Sequence, residues 1–177
     1  MSRDYPDLID PWKAADGKRV FQGTMQLSRM PRLALLLESV SGEAGFSARF
    51  GYDRQRNVVI DLAVEADLIL VCQRSLLAYT EPVRRRSELA VIEKLAEQDA
   101  LPSNYDPVLV ENHRLSLLEL VEDELLLGIP QIPRNPAVKE VEMSTDGDVR
   151  TPSAKGDEPL QRPFAGLADL MKAKAQD

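Results

Sequence analysis

Arginine is the residue in this sequence best placed to do chemistry. Arg84, Arg85 and Arg86 are consecutive, and Arg54, Arg56 and Arg74 precede them in the same half of the chain. Guanidinium groups grip phosphates, often through two parallel hydrogen bonds, so these residues suit contact with a nucleic-acid backbone. On a strand, Arg84 and Arg86 share one face while Arg85 points to the other. Arg54 and Arg56 could join them if a sheet brings the two sets together. Tyr52 and Tyr79 are the candidates for base stacking. The competing reading is a solvated strand edge guarded by arginine. The catalytic inventory is thin. His113 is the single histidine and Cys72 the single cysteine. Cys72 ends an apolar run, the setting of an inert buried thiol, although Arg74 nearby could lower its pKa. No G-x-S-x-G, P-loop or G-x-G-x-x-G pattern occurs. Zinc needs about four ligands, which Cys72 and His113 cannot supply. Glu122, Asp123 and Glu124 splay around a helix and read as a solvated face. The residues predict no enzyme, metal or cofactor.

The elements that must position these residues belong to a chain of 177 residues with 44% hydrophobic and 29% charged residues. That excludes wholesale disorder and suits one domain with a tail. The longest apolar runs, 33–37, 68–72 and 125–127, fall far short of the roughly 20 residues of a membrane span. The acidic, proline-punctuated start is unlike a secretory signal, and a lone cysteine suits a reducing cytoplasm. The net charge of −7 is unevenly spread. Residues 13–86 hold 12 basic and 8 acidic side chains, and residues 87–177 hold 9 and 18. Either solvated faces happen to segregate, or the first half carries an anion-binding face and the second an acidic one for partners or solubility.

Hydrophobic periodicity then sets out the elements. Residues 1–17 read as an extended lead-in and 19–27 as a strand interrupted by Gly23. Ser28 is placed to cap a helix with Pro31 in its first turn, running through Leu37 towards Gly42. Phe46, Ala48, Phe50 and Tyr52 alternate with Ser47, Arg49 and Gly51. After the polar turn 53–57, Val58, Ile60, Leu62 and Val64 alternate again, which predicts a hairpin. Residues 68–72 suit a separate central strand and 79–91 another, with Pro82 at an edge or bulge. Residues 93–100 suit one or two helical turns, 101–107 a loop, and 108–110 a short strand. Ser116 and Glu119 have the spacing of a capping box. It opens a helix with Leu117, Leu118, Val121 and Leu125 on one face, widened by Leu120 and Leu127, and ended by Gly128, Pro130 and Pro133. Residues 135–161 lack the apolar content to offset ordering entropy and are expected to be disordered. Phe164, Leu167, Leu170 and Met171 then fall at helical spacing, as in a docking peptide.

Four stretches, in order, resemble the YceD-type large ribosomal RNA subunit accumulation proteins. The run Leu70-Val71-Cys72-Gln73-Arg74-Ser75-Leu76 is similar to that family's C-x-R-C-L knuckle. Residues 100–107, with Leu101, Pro102, Tyr105 and Pro107, are similar to its LP-x-x-Y-x-P loop. The block 117–133, from Leu117-Leu118-Glu119-Leu120-Val121-Glu122-Asp123-Glu124 to Pro130-Gln131-Ile132-Pro133, is the most specific match. Arg162-Pro163-Phe164 through Leu170 is similar to its N-P-F-x-x-L ending. The resemblance implies a non-enzymatic factor in the synthesis, processing or stability of large-subunit ribosomal RNA. One departure matters. Many members have a second cysteine where this chain has Ser75, and a His or Cys soon after the P-x-x-P. If they hold a metal there, this chain is not expected to.

Together these readings predict an α+β fold with a mostly antiparallel sheet over residues 18–134. A disordered linker follows at 135–161 and an amphipathic peptide at 162–177. Arg74, Arg84, Arg85 and Arg86 are the expected nucleic-acid contacts, to ribosomal RNA or a pre-ribosomal particle. Phe164, Leu167 and Leu170 are the expected protein-partner contacts. The alternative is an adaptor whose acidic half binds a basic protein without touching RNA.

Overall fold

The computed structural model describes residues 5–138. Four long strands follow the period-2 patterning. They are β2 (Val20–Gln26), β3 (Glu43–Tyr52), β4 (Val58–Val71) and β5 (Ala78–Ile92), each antiparallel to the next. A short strand, β6 (Asp106–Leu109), adds to β5 in parallel, so the sheet order is β2-β3-β4-β5-β6. The fold is α+β with a mostly antiparallel sheet, as the sequence indicates. Residues 58–65 and 68–72, read as two strands, form one. All seven core-facing positions of β4, from Val58 to Leu70, are buried without a break in parity.

One face of the sheet carries the core. The helix α3 (Leu117–Gly128) lies against β4 and β5 through Leu117, Leu120, Val121 and Leu125. Ser116 Oγ caps it, accepting from Glu119 N–H at 3.2 Å. Leu118 is only half-buried and Leu127 is exposed, so the buried stripe is rotated towards Leu120 relative to the expected one.

Residues 1–17 are not a plain extended lead-in. The pair β1 (Leu8–Ile9) and β7 (Leu115–Ser116) ties the N-terminal segment to the start of α3. The helix α1 (Pro11–Asp16) follows, with Asp10 accepting from Lys13 N–H and Pro11 in its first turn. Ala14 and Ala15 are buried, and α1 lies against β3 and β4. Asp-Pro is a start signal that this segment's few apolar residues obscured.

The second difference is local. Ser28 caps nothing. It sits inside a 3-10 turn (Leu27–Arg29), and the following helix, α2, is a single turn (Pro31–Ala34). Its exposed N–H groups are satisfied by α3, as described below. A second 3-10 turn (Leu95–Ala100) covers the expected helical turns after β5. Most of the predicted linker and all of the C-terminal peptide, with Phe164, Leu167 and Leu170, lie outside the described residues.

Candidate functional site

The strand β5 sorts its three arginines as the alternation demands. Arg84 and Arg86 stand on the outer face of the sheet, and Arg85 faces the helix side. None lacks a carboxylate. Arg86 makes two hydrogen bonds to Asp61 on β4, at 2.9 and 2.7 Å. Arg49 on β3 approaches the same carboxylate at 3.5 Å. Arg86 beside Asp61 holds that carboxyl below its ordinary range. Arg84 lies opposite Glu65, 3.7 Å away and well exposed. The outer face is thus a ladder of cross-strand ion pairs, each of a kind worth a fraction of a kcal/mol.

Arg85 belongs to a different structure. Its Nε donates to Glu124 on α3 at 3.0 Å, and the buried Ser87 hydroxyl donates to the same oxygen at 2.6 Å. Glu124 is 5% exposed and Glu122 is 2% exposed. This corrects the reading of the acidic triplet as a solvated face. Glu122 reaches across to α2, where Oε1 accepts the N–H groups of Arg32 and Leu33 at 2.7 and 3.0 Å. Its Oε2 accepts from the Arg32 side chain at 3.0 and 2.9 Å. It therefore caps a one-turn helix about 90 residues earlier in the chain and neutralises its own charge there. Only Asp123, also paired with Arg32, stays exposed. No local spacing could have shown this, because both partners are remote in sequence.

Arg74 does not join Arg84–Arg86. It sits in the turn between β4 and β5, and the seven strand residues from Ala78 to Arg84 alone span about 20 Å. Within that turn Cys72 is inaccessible to solvent. The Ser75 hydroxyl, buried and lacking a well-formed hydrogen bond of its own, is turned to the sulfur. With Asn135 N–H donating at 3.3 Å and the Ser75 and Arg74 amides adding to it, it brings the thiol down to about 6. A nest of N–H and O–H donors favours the thiolate, the third of the general routes to a shifted pKa. The second-thiol position of the resembled knuckle therefore holds a buried hydroxyl in place of a thiol. The described residues hold no group of three His, Cys, Asp or Glu side chains able to bind a metal, and the residues here do not fit one.

Arg54 and Arg56 lie at the opposite end of the sheet, in the β3–β4 turn, and are not brought to Arg84–Arg86. Asp53 closes this turn, accepting the N–H groups of Gln55 and Asn57 and the Asn57 side-chain amide, each at 2.8 Å. Arg56, at φ 71°, lies over the Tyr52 ring 5.4 Å from its centre. The Tyr52 hydroxyl donates to Asp16 of α1 at 2.9 Å. Arg54 has no carboxylate partner among the described residues. His113 stacks on Trp12, with ring centres 4.4 Å apart, and lies 3.6 Å from Glu93. That contact fastens α1 to the loop before α3.

These features define a class: an α+β protein whose buried carboxylates tie one helix to another and to the sheet, and whose outer face is ion-paired. The family model for the large ribosomal RNA subunit accumulation protein YceD matches residues 60–171, and this chain belongs to that family. It is 29% identical over 168 residues to the Haemophilus influenzae large ribosomal RNA subunit accumulation protein YceD, covering 93% of this chain and 95% of that one. No solved structure matches it.

Proposed function

We propose that this protein supports the accumulation of large-subunit ribosomal RNA as a binding factor, contacting that RNA or an assembly intermediate, and that it is not an enzyme. Membership of the family, with a relative of that name matched along nearly the whole chain, carries the reading. The carboxylates that could have done acid–base work support it, since Glu122 and Glu124 are engaged with backbone N–H, arginine and serine groups. No described helix is long and apolar enough to cross a membrane. The adaptor reading loses one support, because of the triplet Glu122, Asp123 and Glu124 only Asp123 faces outward. Cells lacking the chain should show a lowered ratio of large- to small-subunit ribosomal RNA, restored by the full-length protein. An unchanged ratio would overturn the reading.

A further inference from the structure

The three consecutive arginines of β5 are held by carboxylates, whereas other cations of the chain are not. Among the described residues, several cations have no carboxylate partner, Lys94, Arg114 and Arg134 among them, and four more, Lys18, Arg19, Arg54 and Arg56, lie together at one end of the sheet. Arg19 O accepts Phe50 N–H at 2.9 Å, which sets Lys18 and Arg19 beside the last residues of β3. Arg54 and Arg56 follow in the turn. Two acids that share this end are already engaged: Asp53 holds its own turn together and Asp16 accepts the Tyr52 hydroxyl.

Beside this turn is an open cleft of about 450 Å³. One wall is the turn, with Tyr52, Arg54, Gln55 and the Asp53 carboxylate that the turn's own N–H groups engage. The other is the loop before β6, with Pro102, Asn104 and Tyr105. That loop is itself fastened. Tyr105 N–H donates to Pro102 O at 3.1 Å, and the Asn104 amide donates to Glu88 at 3.3 Å. Two tyrosines on separate supports, a lining guanidinium with no carboxylate partner among the described residues and side-chain amides are the parts from which single-stranded nucleic-acid sites are made. Rings stack bases irrespective of sequence, and cations follow the phosphates. The sheet face has the opposite make-up, with paired charges and no exposed ring between Arg49 and Arg86.

We propose that the cleft between the β3–β4 turn and the 102–105 loop binds single-stranded RNA, with Tyr105 and Tyr52 stacking bases and Arg54 holding a phosphate. This rests on the reading that the protein serves ribosomal RNA and names the place of contact. Lys18 and Arg19 extend the path of the backbone beyond the cleft.

The test uses the full-length chain and a fluorescein-labelled single-stranded RNA of about 12 nucleotides, within the usual span of such sites. Tyr105→Ala and Arg54→Glu should each weaken binding about tenfold, and Tyr105→Phe should not. Arg54→Glu should also flatten the dependence of log affinity on log salt by about 0.7. Arg84→Glu with Arg86→Glu should change affinity less than about twofold, with thermal melts confirming that all variants fold. Wild-type affinity in both cleft variants, absence of RNA binding by the wild type, or loss confined to the Arg84 and Arg86 pair would each overturn the site. The two proposals fail separately in cells. If deletion lowers large-subunit ribosomal RNA but the Tyr105→Ala, Arg54→Glu chain restores it fully, the cleft is wrong and the broader reading stands. If deletion changes nothing, the broader reading falls.

Discussion

In the middle of β5 every arginine meets a carboxylate: Arg84 with Glu65, Arg85 with Glu124, and Arg86 with Asp61. At the end of the same sheet, the β3–β4 turn leaves Arg54 unpaired and lays Arg56 on the Tyr52 ring. The difference follows from geometry. Strand pairing places an acidic residue opposite or diagonal to each outer arginine of β5. A turn has no such partner strand, and its one acid, Asp53, is satisfied by backbone N–H groups. The densest run of positive charge in the sequence is therefore also the one met by carboxylates. The run of three arginines is ion-paired, and Arg54 in the turn has no carboxylate partner among the described residues.

Stability measurements can break this comparison. The largest effect should come from Glu122→Ala. It strands the first N–H groups of α2 and the Arg32 guanidinium, so unfolding free energy in denaturant should fall by about 3 kcal/mol. A loss below about 0.5 kcal/mol would return the acidic triplet to the solvent. Next, Val121→Ala should cost about 2 kcal/mol because Val121 is fully buried. Leu118→Ala, at a half-buried position, should cost about half as much. Equal losses would mean that the helix presents a different face.

Gly128→Ala should cost about 1–3 kcal/mol, because an added Cβ would overlap the Val83 side chain and crowd Arg85. An unchanged melting temperature would show that α3 does not approach β5 so closely. Arg86→Met should cost about 0.5 kcal/mol at neutral pH. With the folded carboxyl of Asp61 lowered by Arg86, that contribution is complete above the unfolded value of about 4 and is lost as pH falls through the folded value. Variant and wild type should therefore converge in acid. Arg54→Glu should stay within about 0.5 kcal/mol of wild type at all pH values.

Cys72 sharpens the contrast by pH alone. Its thiol falls from 9.0 to about 6. The stabilisation is complete above the unfolded value and is lost as pH falls through about 6, so stability should rise with pH between these values. Cys72→Ala should remove that slope, whereas a slope that survives the substitution belongs to another group.

Much of the fold was legible because alternation is a local signal. Phe46 to Phe50, Val58 to Val64 and Val83 to Val91 show which residues face the core before any partner is known, although Tyr52, read with the first set, is exposed. The Ser116 cap was legible for the same reason. What stayed hidden was non-local. The cap of α2 comes from Glu122, and Ser28, the obvious local candidate, lies in a 3-10 turn instead. The burial of Glu124 depends on Ser87 and Arg85, 37 and 39 residues away. Of the candidate site, Tyr52, Arg54 and Arg56 were visible as residue types. Tyr105 stood out only within the LP-x-x-Y-x-P resemblance, since its approach to the turn depends on β6 joining the far side of β5.

The most direct test of the central claim is photocrosslinking of the full-length chain to single-stranded RNA carrying 4-thiouridine, with the attached peptides mapped by mass spectrometry. The account predicts crosslinks on the peptides bearing Tyr52 and Tyr105, at a yield that falls with salt, and none above background on the peptides spanning Arg84 to Arg86. Crosslinks concentrated along β5, with the Tyr52 and Tyr105 peptides unmodified, would contradict it.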